Sequence, residues 1–253
     1  KRTQKYLFEV MQKTAELFGY EPYDGPLLEE VELYKAKSGE ELINDQIYDF
    51  TDRGKRHVAI RPEMTPTVAR MVAQVHKTTP RPIRWYSIPN LMRYERPQKG
   101  RLREHWQFNV DIFGASEGLG EVEIFQLATE LFKQFGANES HFEILLNDRR
   151  IVDFVFHDLI DLDDSNALKL YKIVDRSKKL DQDAIKKMVT ELGLGSTKEA
   201  IFFQYLEIKD FNALFDFLKA HKANEIAEKF QFYYQHFVSQ DLLKFLKYDP
   251  TIV

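Results

Sequence analysis

The sequence predicts an α+β fold: a mainly antiparallel sheet flanked by helices, followed by a separate helical module. Three observations carry that prediction. Over the first 150 residues strand-like and helical periods alternate, yet the strand candidates meet in tight turns, which favours hairpins over a doubly wound parallel sheet. Residues 161–248 keep helical periodicity almost throughout, broken at Gly193-Leu194-Gly195 and near His221. With 43% hydrophobic and 30% charged residues over 253 positions, the chain can bury a core while keeping a charged surface, and it holds no run of about 18 apolar residues.

The elements follow in order. Tyr6, Leu7, Val10, Met11, Thr14, Leu17 and Phe18 recur at helical spacing, and Gly19 closes that helix. Pro22, Gly25 and Pro26 then impose an extended segment. Gln46–Thr51 and His57–Ile60 read as a hairpin around Asp52-Arg53-Gly54-Lys55. Thr65–Val75 is a short helix with Pro66 in its first turn, where a missing N–H costs nothing. Trp85–Arg93 and Glu104–Phe113 are strand flanks of a Pro-Gln-Lys-Gly turn. Glu121–Phe135 is an amphipathic helix, His141–Leu146 a strand, and Asn147 is placed to cap a helix running through Phe156. The aromatic run Phe230, Phe232, Tyr233, Tyr234, Phe237 is expected to be helix core. Pro250 is expected to end the last helix, with Thr251-Ile252-Val253 beginning a strand. The expected domains are therefore 1–157, 161–248, and a strand start at 249–253.

The stretch from Arg93 to Phe113 carries the chemistry. Arg93, Arg96, Lys99, Arg101 and Arg103 crowd around its turn, and arginine forks bind phosphate oxygens bidentately without titrating. Past the turn, Trp106, Phe108, Val110 and Ile112 share one strand face, while Gln107, Asn109 and Asp111 share the other. An amide and a carboxylate thus stand in line with the arginines, as a small molecule with anionic and cationic groups requires. Net charge is −4, which argues against a general nucleic-acid coat, but Arg81–Arg103 holds seven basic residues against Glu95 alone. Positive potential focused on an acidic body suits a phosphate site. The absence of cysteine excludes disulfides and thiolate metal ligands and fits a cytoplasmic setting. The seven histidines show no metal-ligand spacing, so no metal site is expected.

These residues resemble the class II aminoacyl-tRNA synthetases, and the histidyl-tRNA synthetase family most closely. Arg93-Tyr94-Glu95 is similar to the second signature of the class. Arg96-Pro97-Gln98-Lys99-Gly100-Arg101 and Arg61-Pro62-Glu63-Met64-Thr65 are similar to the histidyl branch in particular. Pro26, after a long helix and Gly19-Tyr20-Glu21-Pro22, resembles the first signature, which in this class builds a dimer interface. The resemblance covers residues 1 to about 157; the helical tail matches the family's insertion domain only in position and class.

The resemblance implies ATP-dependent activation of histidine, with Mg²⁺ on the triphosphate, and transfer to tRNA(His) by a cytoplasmic homodimer. It places Arg93 on the α-phosphate as the catalytic arginine, Glu95 at the adenine end, and Arg101 near the outer phosphates. Glu63, Thr65, Gln107 and Asp111 match positions that hold histidine, and Arg96 and Gln98 lie in the loop that approaches the tRNA acceptor end. His105 stands where the family usually stacks a phenylalanine on adenine. Asp111 replaces a glutamate common in bacterial relatives, and Met64 and Pro66 are bulkier than usual. The family's later elements, including its third signature and anticodon-binding domain, are not found before Val253, so the chain is expected to be the front portion of the enzyme and inactive alone. Two alternatives stay open: a non-catalytic regulatory subunit of histidine biosynthesis, and a class II synthetase for another amino acid.

Overall fold

A computed structural model describes residues 1–36, 42–95, 100, 102–177 and 180–252. They fall into two compact units, Lys1–Phe135 and Gly136–Val253. That division lies earlier than the boundary expected near residues 157–161, because the strand Ile144–Leu146 pairs with Leu246–Tyr248 at the far end of the helical region.

The first unit opens with α1 (Arg2–Leu17). Gly19, at φ 78°, ends it in a Schellman motif. Its N–H donates to Glu16 O at 3.0 Å, and Tyr20 N–H reaches back to Ala15 O at 3.1 Å. The turn points the chain into β1 (Glu21–Pro22), and Tyr23 N–H then donates to Tyr86 O at 2.9 Å. β2 (Leu28–Glu30), α2 (Val31–Lys35), β3 (Tyr48–Thr51) and β4 (His57–Ile60) follow. They form an antiparallel sheet in the order β2-β4-β3, with Val31, Tyr34 and Ala59 as its core. Next comes α3 (Thr65–Val75), with Pro66 in its first turn.

The long basic hairpin is two ladders in one register. β5 (Ile83–Ser87) pairs with β8 (Asn109–Phe113), and β6 (Asn90–Met92) pairs with β7 (Glu104–Trp106). Ser87 faces Asn109 and Asn90 faces Trp106, so two residues are skipped on each side and no bulge arises. Pro89 has no N–H to continue the ladder, but its carbonyl still accepts from Gln107 N–H at 3.2 Å. The flanks expected as unbroken strands are therefore each interrupted at the proline. β1 joins β5 in parallel, the one departure from antiparallel pairing in this unit among the described strands.

Helices cover both faces of β5 and β8. On one face α1 and α4 (Leu119–Gln134) bury Ala15, Tyr20, Tyr86 and Leu127 with Phe108, Val110 and Ile112 against them. Arg84 and Glu123 join this face to α4 through paired bonds of 2.7 and 2.8 Å. On the other face Val68 and Val72 of α3 pack on Ile83, Trp85, Phe113 and Tyr23. The expected polar face is thus apolar at the Ile83–Phe113 end and polar from Asp111 towards Ser87. The expected greasy face holds for Phe108, Val110 and Ile112, whereas Trp106 is 49% exposed and rests on Phe8.

The second unit contains β9 (Ile144–Leu146), α5 (Arg149–Asp153) continued by a π segment over Phe154–Leu159, and α6 (Asp164–Ser177). Then come α7 (Gln182–Glu191), α8 (Ser196–Leu206), α9 (Phe211–Ala220), α10 (Asn224–Ser239) and β10 (Leu246–Tyr248). Helix breaks fall at Gly193–Gly195 and His221 as expected, with a further one at Glu207–Asp210 between α8 and α9. Three details differ from expectation. Asp148, not Asn147, caps α5 by accepting from Arg150 N–H at 2.9 Å. Asn147 Nδ2 instead donates to Tyr205 Oη and to Ile252 O, both at 2.9 Å. The last helix ends at Ser239, and the last strand among the described residues, parallel to β9, is Leu246–Tyr248; of the expected strand start, Thr251 lies in a turn and Val253 lies outside the described residues. Of the aromatic run, Phe230, Tyr233 and Phe237 are buried core, while Phe232 is 39% exposed.

Candidate functional site

The site grows from three segments of the first unit. The first is the turn between β4 and α3, Arg61-Pro62-Glu63-Met64, which leads into Thr65. Arg61 is 5% exposed and Met64 2%, so this turn is bolted down at both ends. Glu63 between them is half-buried, and Thr65 is exposed at the start of the helix. The second segment is the arm leaving β6. Arg93 is half-buried; its N–H donates to Arg103 O and its Nε to Pro62 O, both at 2.9 Å. That second bond seats the arginine beside the Glu63 turn, 31 residues away in sequence. Tyr94 alternates to the outside, 53% exposed, and carries the Arg103 guanidinium 4.2 Å from its ring centroid. Glu95 turns back in, half-buried, and its carbonyl accepts from Arg103 Nε at 3.3 Å.

The third segment is the return arm. His105 pairs with Leu91 in the β6–β7 ladder and is half-buried. Burial pushes its imidazole pKa down; the nearby Arg93 charge pushes the same way, and Glu95 opposes both. Burial and the Arg93 charge thus favour the neutral ring. Beyond it, Gln107 is exposed and anchored through its backbone. Asp111 sits opposite Trp85, half-buried, and accepts a hydrogen bond from Tyr23 Oη at 3.3 Å. Burial raises the Asp111 pKa, and the Tyr23 bond partly counters that. Tyr23 is itself raised, first by burial. Beside this pair, Ser87 Oγ and Asn109 Nδ2 are buried without a hydrogen-bond partner among the described residues.

The structure therefore brings Arg93, Glu95 and His105 together with the turn that bears Glu63. It sets Asp111 further along the same hairpin. His105, Gln107, Asn109 and Asp111 are alternate residues, so at about 3.3 Å per residue the ladder from His105 to Asp111 spans roughly 20 Å. An imidazole, a guanidinium and a carboxylate are thus set out along one hairpin. Arg96, Gln98 and Arg101 lie outside the described residues. Two residues escaped the sequence reading. Tyr23 gave no signal, because its partner lies 88 positions away. Arg61 was visible only as the head of its motif, with nothing to show that it is buried.

Comparison with known proteins identifies the family. The family model for histidyl-tRNA synthetase matches residues 2–231. A histidine–tRNA ligase of Leptospira biflexa is 49% identical over 190 residues, 75% of this chain and 44% of that protein. One from Opitutus terrae is 41% identical over 212 residues, 83% of this chain and 48% of its own length. The chain thus spans about half the length of the curated relatives it matches. Among solved structures, histidyl-tRNA synthetase from Nostoc sp. PCC 7120 has a TM-score of 0.85 at 18% identity, covering 100% of this chain and 58% of that one. A Bacillus halodurans protein described as an ATP phosphoribosyltransferase regulatory subunit/histidyl-tRNA synthetase also has a TM-score of 0.85, at 20% identity over 100% of this chain and 64% of its own. At those identities the two structures speak for the fold alone. On the family match over residues 2–231, the chain belongs to the histidyl-tRNA synthetase family.

Proposed function

We propose that this chain carries the ATP-facing and much of the histidine-facing surface of a histidine–tRNA ligase. The observation that supports it best is the 2.9 Å bond from Arg93 Nε to Pro62 O, which seats the phosphate arginine beside Glu63. In activation, a carboxylate oxygen of histidine bonds to the α-phosphorus of ATP, and the bond to the bridging oxygen of pyrophosphate breaks. Both reactants are anions, so the work is positioning and cationic stabilisation rather than covalent catalysis. Arg93 meets the charge that builds on the α-phosphoryl oxygens. His105 stacks on adenine, and Glu95 holds the base end. Glu63 and Gln107 take the amino group, Thr65 adds a hydroxyl, and Asp111 accepts from the imidazole N–H. Mg²⁺ arrives as part of the MgATP substrate. Arg101 is assigned to the outer phosphates, and Arg96 and Gln98 to the acceptor end of tRNA(His). The family setting is a cytoplasmic homodimer.

The testing experiment is ATP–pyrophosphate exchange across the twenty amino acids, in a protein that carries the rest of the family's catalytic domain, with calorimetric binding of histidine and MgATP to this chain. Selective exchange or binding with histidine supports the ligase reading. Histidine binding with no affinity for MgATP would move the chain to a regulatory role, and preference for another amino acid would move it to another branch of the class.

A further inference from the structure

We propose that Arg61 is a positioning residue of the activation reaction, a buried guanidinium that fixes the spacing between Arg93 and Glu63. The proposal rests on the ATP-plus-histidine reading above. Arg61 is 5% exposed, so it is closed off from a ligand and acts through what it holds. Its Nη1 donates to Asp24 Oδ1 at 2.6 Å and to Gly25 O at 2.9 Å, and its Nε donates to Asn90 O at 3.0 Å. Its own N–H donates to Leu27 O at 3.0 Å, and its carbonyl accepts from Met92 N–H at 3.1 Å.

Two segments are each gripped twice, once by side chain and once by backbone: residues 24–27, and strand β6. Both arms of the site start from this knot. Pro62-Glu63 leaves Arg61 directly, and Arg93 leaves the end of β6. The Arg93–Pro62 bond can form because both arms begin at fixed points. Asp24 is 70% exposed at its side chain, so water screens much of that charge attraction. The carbonyls of Gly25 and Asn90 carry the geometric constraint. They need the two separated donors of a guanidinium fork, which the compact ammonium of lysine does not reproduce.

A residue of this kind matters when both halves of the ligand must be held at once. A ligand that joins the two halves gains affinity only when both subsites stand at the right separation. The test compares wild type with Arg61→Lys for three ligands: histidine, MgATP, and the non-hydrolysable sulfamoyl analogue of histidyl-adenylate. Backbone amide exchange is followed in the same proteins. Arg61→Lys is expected to bind each half within about threefold of wild type while losing about tenfold or more for the joined analogue. Exchange is expected to accelerate at Met92 and Arg93 and to hold at Tyr86 and Val110.

Equal losses for all three ligands with faster exchange throughout would overturn the proposal in favour of a purely structural role, and unchanged analogue binding would overturn it outright. If Arg61→Lys does not fold, Arg61→Gln decides: its single amide nitrogen cannot span both carbonyls, and it must show the same selective loss. A wild-type chain that binds none of the three ligands overturns the activation reading instead. Exchange confined to Met92 and Arg93 would then still support the anchoring, and unchanged exchange would remove it.

Discussion

Tyr23 Oη donates a 3.3 Å hydrogen bond to Asp111 Oδ2, joining the end of β1 to the middle of β8. This phenol, not an arginine, is the partner of the half-buried carboxylate. The distinction matters for the chemistry. An arginine would hold Asp111 ionised and occupied, whereas one long bond from a neutral phenol leaves acceptor capacity free for a ligand. Burial raises the Asp111 pKa against the Tyr23 bond, so the anion is less favoured there than in water.

The first prediction concerns Asp111→Asn. If Asp111 holds the imidazole as proposed, removing the carboxylate leaves that ring mispaired, which costs about 1–3 kcal/mol, so in a protein that carries the rest of the catalytic domain the KM for histidine rises about tenfold while the KM for ATP stays near normal. Stability moves the other way. A carboxyl whose folded pKa lies above its unfolded value binds more protons when folded, so stability falls as pH rises through that window. Asp111→Asn therefore raises Tm at neutral pH, and the gain vanishes below the ordinary carboxylate range. A selective ATP defect, or a lower Tm at pH 7, would remove Asp111 from the histidine subsite.

Tyr23→Phe separates orientation from charge. The ring tilted against Trp85, 5.7 Å between centroids, stays, and only the donor is lost. Without that bond the Asp111 pKa climbs further, because the Tyr23 hydrogen bond is what lowers it. Histidine binding should weaken severalfold, and its acid limb should move to higher pH than in wild type. Calorimetric titration across pH reads both effects, and an acid limb at the wild-type position would deny Tyr23 any hold on Asp111.

The hairpin was legible because its information is local. A two-residue period, a turn sequence and a cluster of arginines lie within one short stretch, and the common register of its two ladders bears that reading out. The break at Pro89 follows from the same rule of missing donors and could have been read. What was not legible depends on distant partners. Asn147 looks like a cap from its neighbours alone, yet its amide is claimed by Tyr205 and Ile252, and the cap passes to Asp148. β9 finds its partner about a hundred residues later, which moves the unit boundary to 135/136. Arg61 belongs to a charged residue type that is mostly exposed, and only the tertiary fold reveals it as buried.

Glu123→Gln tests the link between the sheet and α4. Burial alone would raise this carboxyl, but the two bonds from Arg84 hold it below the usual range. A folded pKa below the unfolded one gives stability that is present at neutral pH and lost as pH falls through the folded value. Glu123→Gln should therefore cost about 1–3 kcal/mol at pH 7, the scale of losing a charged hydrogen-bond partner at a partly buried site. The deficit relative to wild type should shrink as pH falls below the ordinary carboxylate range. A deficit that persists unchanged in acid would mean that shape, not charge, makes the contact.

Arg93 offers a prediction with two readouts that must agree. On its proposed role as the donor meeting charge on the α-phosphoryl group, Arg93→Ala, made in a protein that carries the rest of the family's catalytic domain, should cut histidine-dependent pyrophosphate exchange by roughly two to three orders of magnitude. The loss should fall on kcat, since an interaction strongest in the transition state is removed. The same substitution takes away a positive charge that depresses the His105 pKa, so His105 should titrate at higher pH in the variant, by NMR of its ring protons. Burial, the larger cause, remains and keeps it from rising fully to the free value. Folding should be only modestly weakened, because the Arg93 side chain's bond to Pro62 O is one contact of a half-buried residue. A variant with normal exchange and a shifted His105 would show that Arg93 faces the base end without touching the reacting phosphate. One with slow exchange and an unshifted His105 would place the arginine elsewhere in the site than beside the imidazole.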